Sequence, residues 1–286
     1  MLVDELHEFG IPQEVVDILK REGITELYPP QVEAVNKGLL ELKDSYVVSV
    51  PTASGKTLIA ELLMIRSILE RGGKCLYIVP LRALAAEKLE DFKKYAALGI
   101  KVGISTGEYD TTDPWLRDYD IIVSTSEKAD SLLRHRSPWL EEVNILVADE
   151  IHLINDGGRG PTLEVTIAKL RHLNPDILVL GLSATINNAD EIASWLGAEL
   201  VKSDWRPVLL REGVCYDDEV FYSDSTTGRV ERFADGAVYN LALGTIKDGG
   251  QSLVFVNTRK SAERFAIEAS SKAKNLLTED EKNALS

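Results

Sequence analysis

With 286 residues, 44% of them hydrophobic and 27% charged, the chain has an ordinary globular composition and room for one large α/β domain plus part or all of a second. The formal net charge of −14 argues against bulk electrostatic attraction to nucleic acid, so any such contact must be local, weak and salt-sensitive. No apolar run approaches the roughly 18 residues of a membrane helix.

Met1 to Lys20 carries acidic residues where a secretory signal would be basic. The two cysteines, Cys75 and Cys215, lie far apart without a pairing pattern, and Cys75 sits in an apolar run that reads as core. A cytoplasmic chain that avoids membranes is the expectation.

In chain order, Met1 to Glu22 predicts a short amphipathic helical segment with Val15, Val16, Ile18 and Leu19 as its apolar positions, ended by Gly23. Leu27-Tyr28-Pro29-Pro30-Gln31 then gives an extended entry into a helix over Val32 to Leu42. The Gln31 amide could meet an adenine edge as donor and acceptor, although a glutamine in a first helical turn is commonly no more than a surface residue.

Tyr46 to Val50 reads as a buried strand and opens through Pro51-Thr52-Ala53-Ser54-Gly55-Lys56-Thr57 onto a helical pattern, Leu58 to Glu70. Strand, tight loop ending Gly-Lys-Thr and helix form the context of a phosphate-binding loop. Backbone N–H groups of Thr52, Ala53, Ser54 and Gly55, with the helix start, favour an anion there. Lys56 supplies a point charge, and the Thr57 hydroxyl is placed for Mg²⁺. Val50 stands where the usual pattern begins with glycine. A helix start without a ligand would show the same three final residues.

Strand and helix then alternate. Lys74 to Val79 is a strand stopped by Pro80, and Arg82 begins a helix. Lys101 to Ser105 and Asp120 to Ser124 are strands, and Thr125 to Arg134 is a helix. Ile145 to Ala148 ends in Asp149-Glu150-Ile151-His152. Beside a phosphate loop, Asp149 would hold a metal shell and Glu150 would orient or deprotonate a water; by itself, the pair could equally be a helix cap. Ile177 to Leu182 is followed by Ser183-Ala184-Thr185, another pattern that a helix cap would share. This alternation predicts a parallel sheet with helices on both faces and ligands at the carboxyl ends of the strands.

Trp205-Arg206-Pro207 breaks the alternation and reads as a crossover, with Ser203 to Pro207 as a candidate hinge. Strands are expected at Val208 to Leu210, Val220 to Tyr222 and Ser252 to Val256. A polar turn is expected at Ser223 to Arg229, with helices at Ala237 to Lys247 and from Ser261 to about Lys274. The expected division is Met1 to Lys202 as one α/β domain and Ser203 to Ser286 as an incomplete second one, so that the chain reads as a fragment.

The ordered set is more specific than any member. Pro-Thr-Ala-Ser-Gly-Lys-Thr, Pro-Leu-Arg-Ala-Leu-Ala, Ser-Thr-Ser-Glu-Lys, Asp-Glu-Ile-His, Ser-Ala-Thr and Val-Phe-Val-Asn-Thr-Arg follow one another as in superfamily 2 helicases. Leu-Tyr-Pro-Pro-Gln, Thr-Gly-Glu-Tyr-Asp, Ser-Leu-Leu-Arg-His and Ser-Asp-Trp-Arg-Pro-Val make the chain resemble most the archaeal Hjm-type DNA repair helicases, related to the helicase part of polymerase theta.

The resemblance covers essentially the whole chain. It implies two RecA-like domains, ATP with Mg²⁺ in a cleft between them, and 3′ to 5′ movement of a monomer on single-stranded or forked DNA. By resemblance, Gln31 contacts adenine; Thr52, Ala53, Ser54, Gly55, Lys56 and Thr57 hold phosphates; and Thr57 and Asp149 serve the metal. Lys56, Asp149, Glu150 and His152 are the catalytic set, and Ser183 and Thr185 couple nucleotide state to closure. Arg82, Thr106, Thr125, Asn257, Thr258 and Arg259 touch a DNA backbone without reading sequence.

One departure matters. No Gln-x-x-Gly-Arg-x-Gly-Arg-like motif follows Arg206, and the winged-helix and ratchet domains of such helicases are absent, so this chain alone is expected to bind ATP but turn it over poorly. An RNA helicase of the related exosome-assisting branch, or a nucleotide-gated binding module without motor function, would share most of these residues.

Overall fold

A computed structural model describes residues 1–107 and 113–276. Glu108, Tyr109 and Asp110 of the Thr-Gly-Glu-Tyr-Asp stretch lie outside the described residues. The chain divides into two compact units, Met1–Val208 and Leu209–Ser286, with Ser203 to Pro207 in the first.

The first unit is built on seven parallel strands: β1 (Tyr46–Ser49), β2 (Lys74–Val79), β3 (Val102–Ser105), β4 (Ile121–Thr125), β5 (Val143–Ala148), β6 (Leu178–Ser183) and β7 (Glu199–Lys202). Their order across the sheet is β3-β4-β2-β5-β6-β1-β7. Successive residues of a strand point to opposite faces, and both faces are covered, so the middles of the inner strands are apolar on both sides. Tyr46, Val48, Cys75, Tyr77, Val79, Ile145 and Val147 belong to one core. Their alternate neighbours Val47, Leu76, Ile78, Leu146 and Ala148 belong to the other.

The first face is covered by α1 (Gln13–Arg21), α2 (Pro29–Asn36), α3 (Lys56–Arg71) and α4 (Arg82–Phe92). The second is covered by α5 (Ser126–Arg134), α6 (Gly160–Leu173) and α7 (Ala189–Leu196). The alternation predicts this parallel sheet with helices on both faces, and the resemblance implies its RecA-like form. No helix among the described residues is long and apolar enough to cross a membrane.

Several elements differ from the sequence expectation. The helix expected over Val32 to Leu42 begins earlier, at Pro29, and stops at Asn36; a short 3₁₀ turn, Leu39–Glu41, follows Gly38. Proline is well suited to a first helical turn, where its missing N–H costs nothing. Helix α6 and edge strand β7 have no counterpart in the sequence reading. In β7, Glu-Leu-Val-Lys, only Val201 is buried, which leaves little apolar signal.

The second unit holds an antiparallel sheet of β8 (Gly213–Tyr216), β9 (Glu219–Tyr222) and β10 (Thr227–Arg229), then α8 (Ala237–Lys247) and α9 (Arg259–Ala273). Part of the expected polar turn after Tyr222 is thus strand β10. The expected strands at Val208 to Leu210 and Ser252 to Val256 are not strands. The reason is physical: a strand needs a ladder partner for its N–H and C=O groups. No described strand lies alongside Leu253 and Phe255, which are 81% and 86% exposed.

Candidate nucleotide-binding site

Because all seven strands run parallel, their carboxyl ends share one edge of the sheet. Strands β5, β6 and β1 are consecutive there, which brings together Asp149-Glu150 after β5, Ser183 ending β6 and the loop Val50 to Gly55 after β1. Val50 N–H donates to Ser183 C=O at 3.2 Å and Asp149 N–H to Ile78 C=O at 2.9 Å, so both segments are extensions of the ladder.

The loop turns into α3 at Gly55, which has φ +77°. A Cβ there would lie 2.1 Å from Gln31 Nε2, so only glycine fits. Ala53 also lies in the left-handed region, at φ +67°. Helix α3 is 16 residues long and no side chain caps its start. Leu58 N–H donates to Gly55 C=O at 3.1 Å, and ahead of it the helix start and its dipole give the loop positive potential. Lys56 Nζ donates to Val50 C=O at 3.3 Å. Burial holds its ammonium below the ordinary value; nearby Glu150 and Asp149 oppose that shift and Arg206 adds to it.

Asp149 shares a sheet face with the start of α3. Its Oδ2 accepts the Tyr77 hydroxyl at 2.9 Å and its Oδ1 the Glu150 N–H at 3.0 Å. The buried Tyr77 phenol thus holds one of the two residues expected at the metal. Lys88 Nζ lies 3.4 Å from Thr57 Oγ1 and 3.0 Å from Asp91 Oδ2.

Glu150 adopts φ +53°, and its buried Oε2 accepts no hydrogen bond. That oxygen is 3.3 Å from His152 Nδ1, and the same nitrogen is 3.2 Å from Ser183 Oγ. His152 thus links the ends of β5 and β6. Thr185 lies two residues beyond Ser183, on the turn that leads to α7.

Gln31 is 3% exposed and its amide is engaged at both ends. Its Oε1 accepts Tyr28 N–H at 2.7 Å, half of a capping box, and its Nε2 donates to Gly55 C=O at 3.0 Å. One amide hydrogen and one oxygen lone pair are left for anything else.

The residues expected at a nucleic-acid backbone separate from this set. Arg82 starts α4 after β2, Thr125 ends β4 and Thr106 follows β3, so they occupy the other half of the same sheet edge. Arg82 is exposed; Thr125 is buried and caps α5 by accepting Lys128 N–H at 3.4 Å. Asn257, Thr258 and Arg259 are exposed in the second unit, where Thr258 caps α9 through Ser261 N–H at 3.1 Å.

The arrangement fits a triphosphate and its cation. There is a helix start without a side-chain cap, a half-buried ammonium, a loop that ends on a glycine at positive φ and a buried carboxylate oxygen without a hydrogen-bond partner. Among the described residues no group of three or more His, Cys, Asp and Glu side chains could hold a metal alone. An ion beside Thr57 and Asp149 would therefore complete its shell with water and phosphate, as Mg²⁺ commonly does.

Residues 28–192, more than half of the chain, match the DEAD/DEAH box helicase family. The chain belongs to that family. Within it the chain is similar to the ATP-dependent DNA helicases Hel308 of three archaea. It is 49% identical to that of Thermococcus kodakarensis over 100% of this chain and 24% of that protein. The corresponding figures are 48%, 97% and 38% for Pyrococcus horikoshii, and 48%, 98% and 38% for Methanocella arvoryzae. The resemblance to the archaeal Hjm type therefore holds, and the chain spans between about a quarter and two-fifths of these relatives.

Among solved structures, the DUF1998 helicase MrfA matches with TM-score 0.71 and 26% identity over 93% of this chain and 41% of that one. A DNA-bound structure of MrfA has the same fold at TM-score 0.69 and 23% identity. Sequence reasoning toward this site missed Tyr77 and the contact of Tyr28 with Trp205. Nothing local marks either, because each acts on a residue far away in the chain.

Proposed function

We propose that this chain carries the ATP-binding part of an ATP-dependent DNA helicase that translocates along one strand, 3′ to 5′ by resemblance. The observation that carries the reading is the convergence of Lys56, Thr57, Asp149 and Glu150 at one edge of a parallel sheet, supported by relatives named as DNA helicases.

In this reading the loop N–H groups and Lys56 bind the β- and γ-phosphates, and Gln31 fixes the loop while its free amide capacity meets adenine. Thr57 and Asp149 hold Mg²⁺, which when bound supplies charge that offsets the charge developing on the transferred phosphoryl oxygens. Glu150, whose Oε2 accepts no hydrogen bond, orients the attacking water and takes its proton. His152 and Ser183 carry the position of Glu150 to the end of β6. Arg82, Thr106 and Thr125 hold the strand's phosphates, joined by Asn257, Thr258 and Arg259 from an incomplete second RecA-like domain. A cytoplasmic monomer acting at DNA repair or stalled forks completes the proposal.

The test is ATP hydrolysis by the purified chain with single-stranded DNA, with RNA and with neither, using Lys56→Ala as the blank. ATP binding with near-blank turnover is expected, because the chain contains no arginine-finger motif. Glu150→Gln should retain ATP binding and remove any residual turnover. Strong turnover stimulated by RNA and not DNA would overturn the substrate class, and no ATP binding would overturn the site.

A further inference from the structure

Four contacts form a closed circuit through the phosphate loop. Ser54, fully buried, donates its hydroxyl to Trp205 C=O at 2.9 Å. The Trp205 ring packs on the Tyr28 ring with centroids 4.7 Å apart. Tyr28 N–H donates to Gln31 Oε1 at 2.7 Å, and Gln31 Nε2 donates to Gly55 C=O at 3.0 Å, which returns the circuit to the residue after Ser54. Trp205 is itself held. Its N–H donates to Ser203 Oγ at 3.2 Å, and Ser203 N–H donates to Ser49 C=O, the last residue of β1, at 3.3 Å. The aromatic pair also walls a cleft of about 810 Å³ beside Val32, Glu33, Asn36 and Lys37.

We infer that Trp205 is a positioning residue of the nucleotide site: its carbonyl and ring clamp the phosphate loop, so the segment that leaves the first unit reads the occupancy of that loop. The inference rests on the nucleotide-site reading above and adds a residue to it.

The physical reasoning has three steps. Ser54 and Gly55 flank one peptide of the loop, and the circuit fixes the first by its side chain and the second by its carbonyl. A phosphate that draws the loop N–H groups toward itself must rotate this peptide plane or be met by a plane already set. In the first case Ser54 Oγ and Gly55 C=O carry the rotation to Trp205 and Gln31. Trp205 lies three residues before Val208, the last residue of the unit, so a change in the clamp acts on the connecting chain itself. The contribution of Arg206 to the Lys56 environment is consistent with a segment seated against the site.

The indole makes the inference directly testable. The chain has four tryptophans, and Trp195 on α7 is a control. ATP binding is measured by equilibrium dialysis with labelled ATP and Mg²⁺, and tryptophan emission is recorded in parallel. The wild type, Trp195→Phe, Trp205→Phe and Trp205→Ala are compared as whole chains. The wild type and Trp195→Phe should change emission on adding ATP. Trp205→Phe keeps a ring against Tyr28 and should bind within about 2-fold of wild type while losing the emission response. Trp205→Ala should bind about 3- to 10-fold more weakly.

An emission response that survives in Trp205→Phe, or unweakened binding by Trp205→Ala, overturns the inference and leaves the nucleotide site standing. If the alanine variant does not fold, the phenylalanine variant carries the test alone. Absence of ATP binding in the wild type would overturn the site reading and this inference with it.

Discussion

Replacing Tyr77 by phenylalanine removes one oxygen and tests the proposed metal corner of the site. The Tyr77 side chain is fully buried in β2, its ring edge-on to Phe92 with centroids 5.2 Å apart. Burial, then the Asp149 charge, raises the phenol well above its ordinary value, so it stays protonated and acts on Asp149 as a donor. Phenylalanine keeps the ring packing and deletes the 2.9 Å hydrogen bond to Asp149 Oδ2.

A hydrogen bond to a charged group contributes roughly 1.5–3 kcal/mol. Asp149 is only half-buried and can recover part of that from water, so the unfolding free energy should fall by no more than about 1.5 kcal/mol. The effect on the metal should be larger relative to this, because the lost bond fixes the orientation of the carboxylate. Removing an outer partner of a metal ligand typically costs about 10- to 100-fold in metal affinity. The assay is a Mg²⁺ titration of ADP binding in wild type and Tyr77→Phe, with urea unfolding as the stability control. A midpoint shifted upward at least about 10-fold, with modest loss of stability, is expected. An unchanged Mg²⁺ midpoint in a folded variant would refute the assignment of Asp149 to the metal or of Tyr77 to Asp149.

Gly55→Ala should be more damaging than its size suggests, because φ is +77° and the new methyl would overlap Gln31 Nε2. A loss of about 1–2 kcal/mol of stability and at least about 10-fold in ATP binding is expected from urea titration and dialysis, and a neutral variant would contradict the loop geometry. Ala53→Gly should act the other way on stability. It relieves a residue at φ +67°, and a gain of up to about 1 kcal/mol is the expected urea result. Glu61, on α3, tests pH dependence. Burial raises its carboxyl above the ordinary 4.5, opposed by Lys94 and Tyr95. The folded chain therefore holds the proton more tightly than the unfolded one; the resulting stability is full below 4.5 and is lost as pH rises through the folded value. Glu61→Gln should flatten that part of the stability curve in urea titrations across the range, and an identical curve would remove Glu61 as its source.

The legible part of the fold follows from burial. Strands β2, β4, β5 and β6 are buried on both faces, so they stand out as apolar runs closed by Pro80, Thr125, Asp149 and Ser183. The same run at Leu253 to Val256 misleads, because apolar content records a preference for burial and cannot supply a ladder partner. Motif residues of the site were legible because their chemistry is local: Gly-Lys-Thr at a strand-to-helix turn, two carboxylates at a strand end. What holds them is not. Tyr77 meets Asp149 at a separation of 72 residues, and Ser54 meets Trp205 at 151. Such contacts depend on which strands are neighbours, and strand order does not follow from the sequence of any one strand.

Strand order also places the phosphate loop and the residues proposed at the nucleic-acid backbone on different halves of one edge. In β3-β4-β2-β5-β6-β1-β7, the loop after β1 and the threonines after β3 and β4 fall on opposite sides of β5. Asp149-Glu150-Ile151-His152 leaves β5 at this midpoint. His152 reaches Ser183 on the phosphate-loop side, while Arg159, on the chain that continues from it, donates to Pro80 C=O at 3.3 Å, two residues before Arg82 on the other side. The segment that carries Glu150 is thus bonded to both halves of the edge. With a net charge of −14, the chain has little long-range attraction for a polyanion with which to work. Any dependence of strand grip on nucleotide state would then have to pass through short bonded links of this kind, and the β5 terminus is where the described structure supplies them.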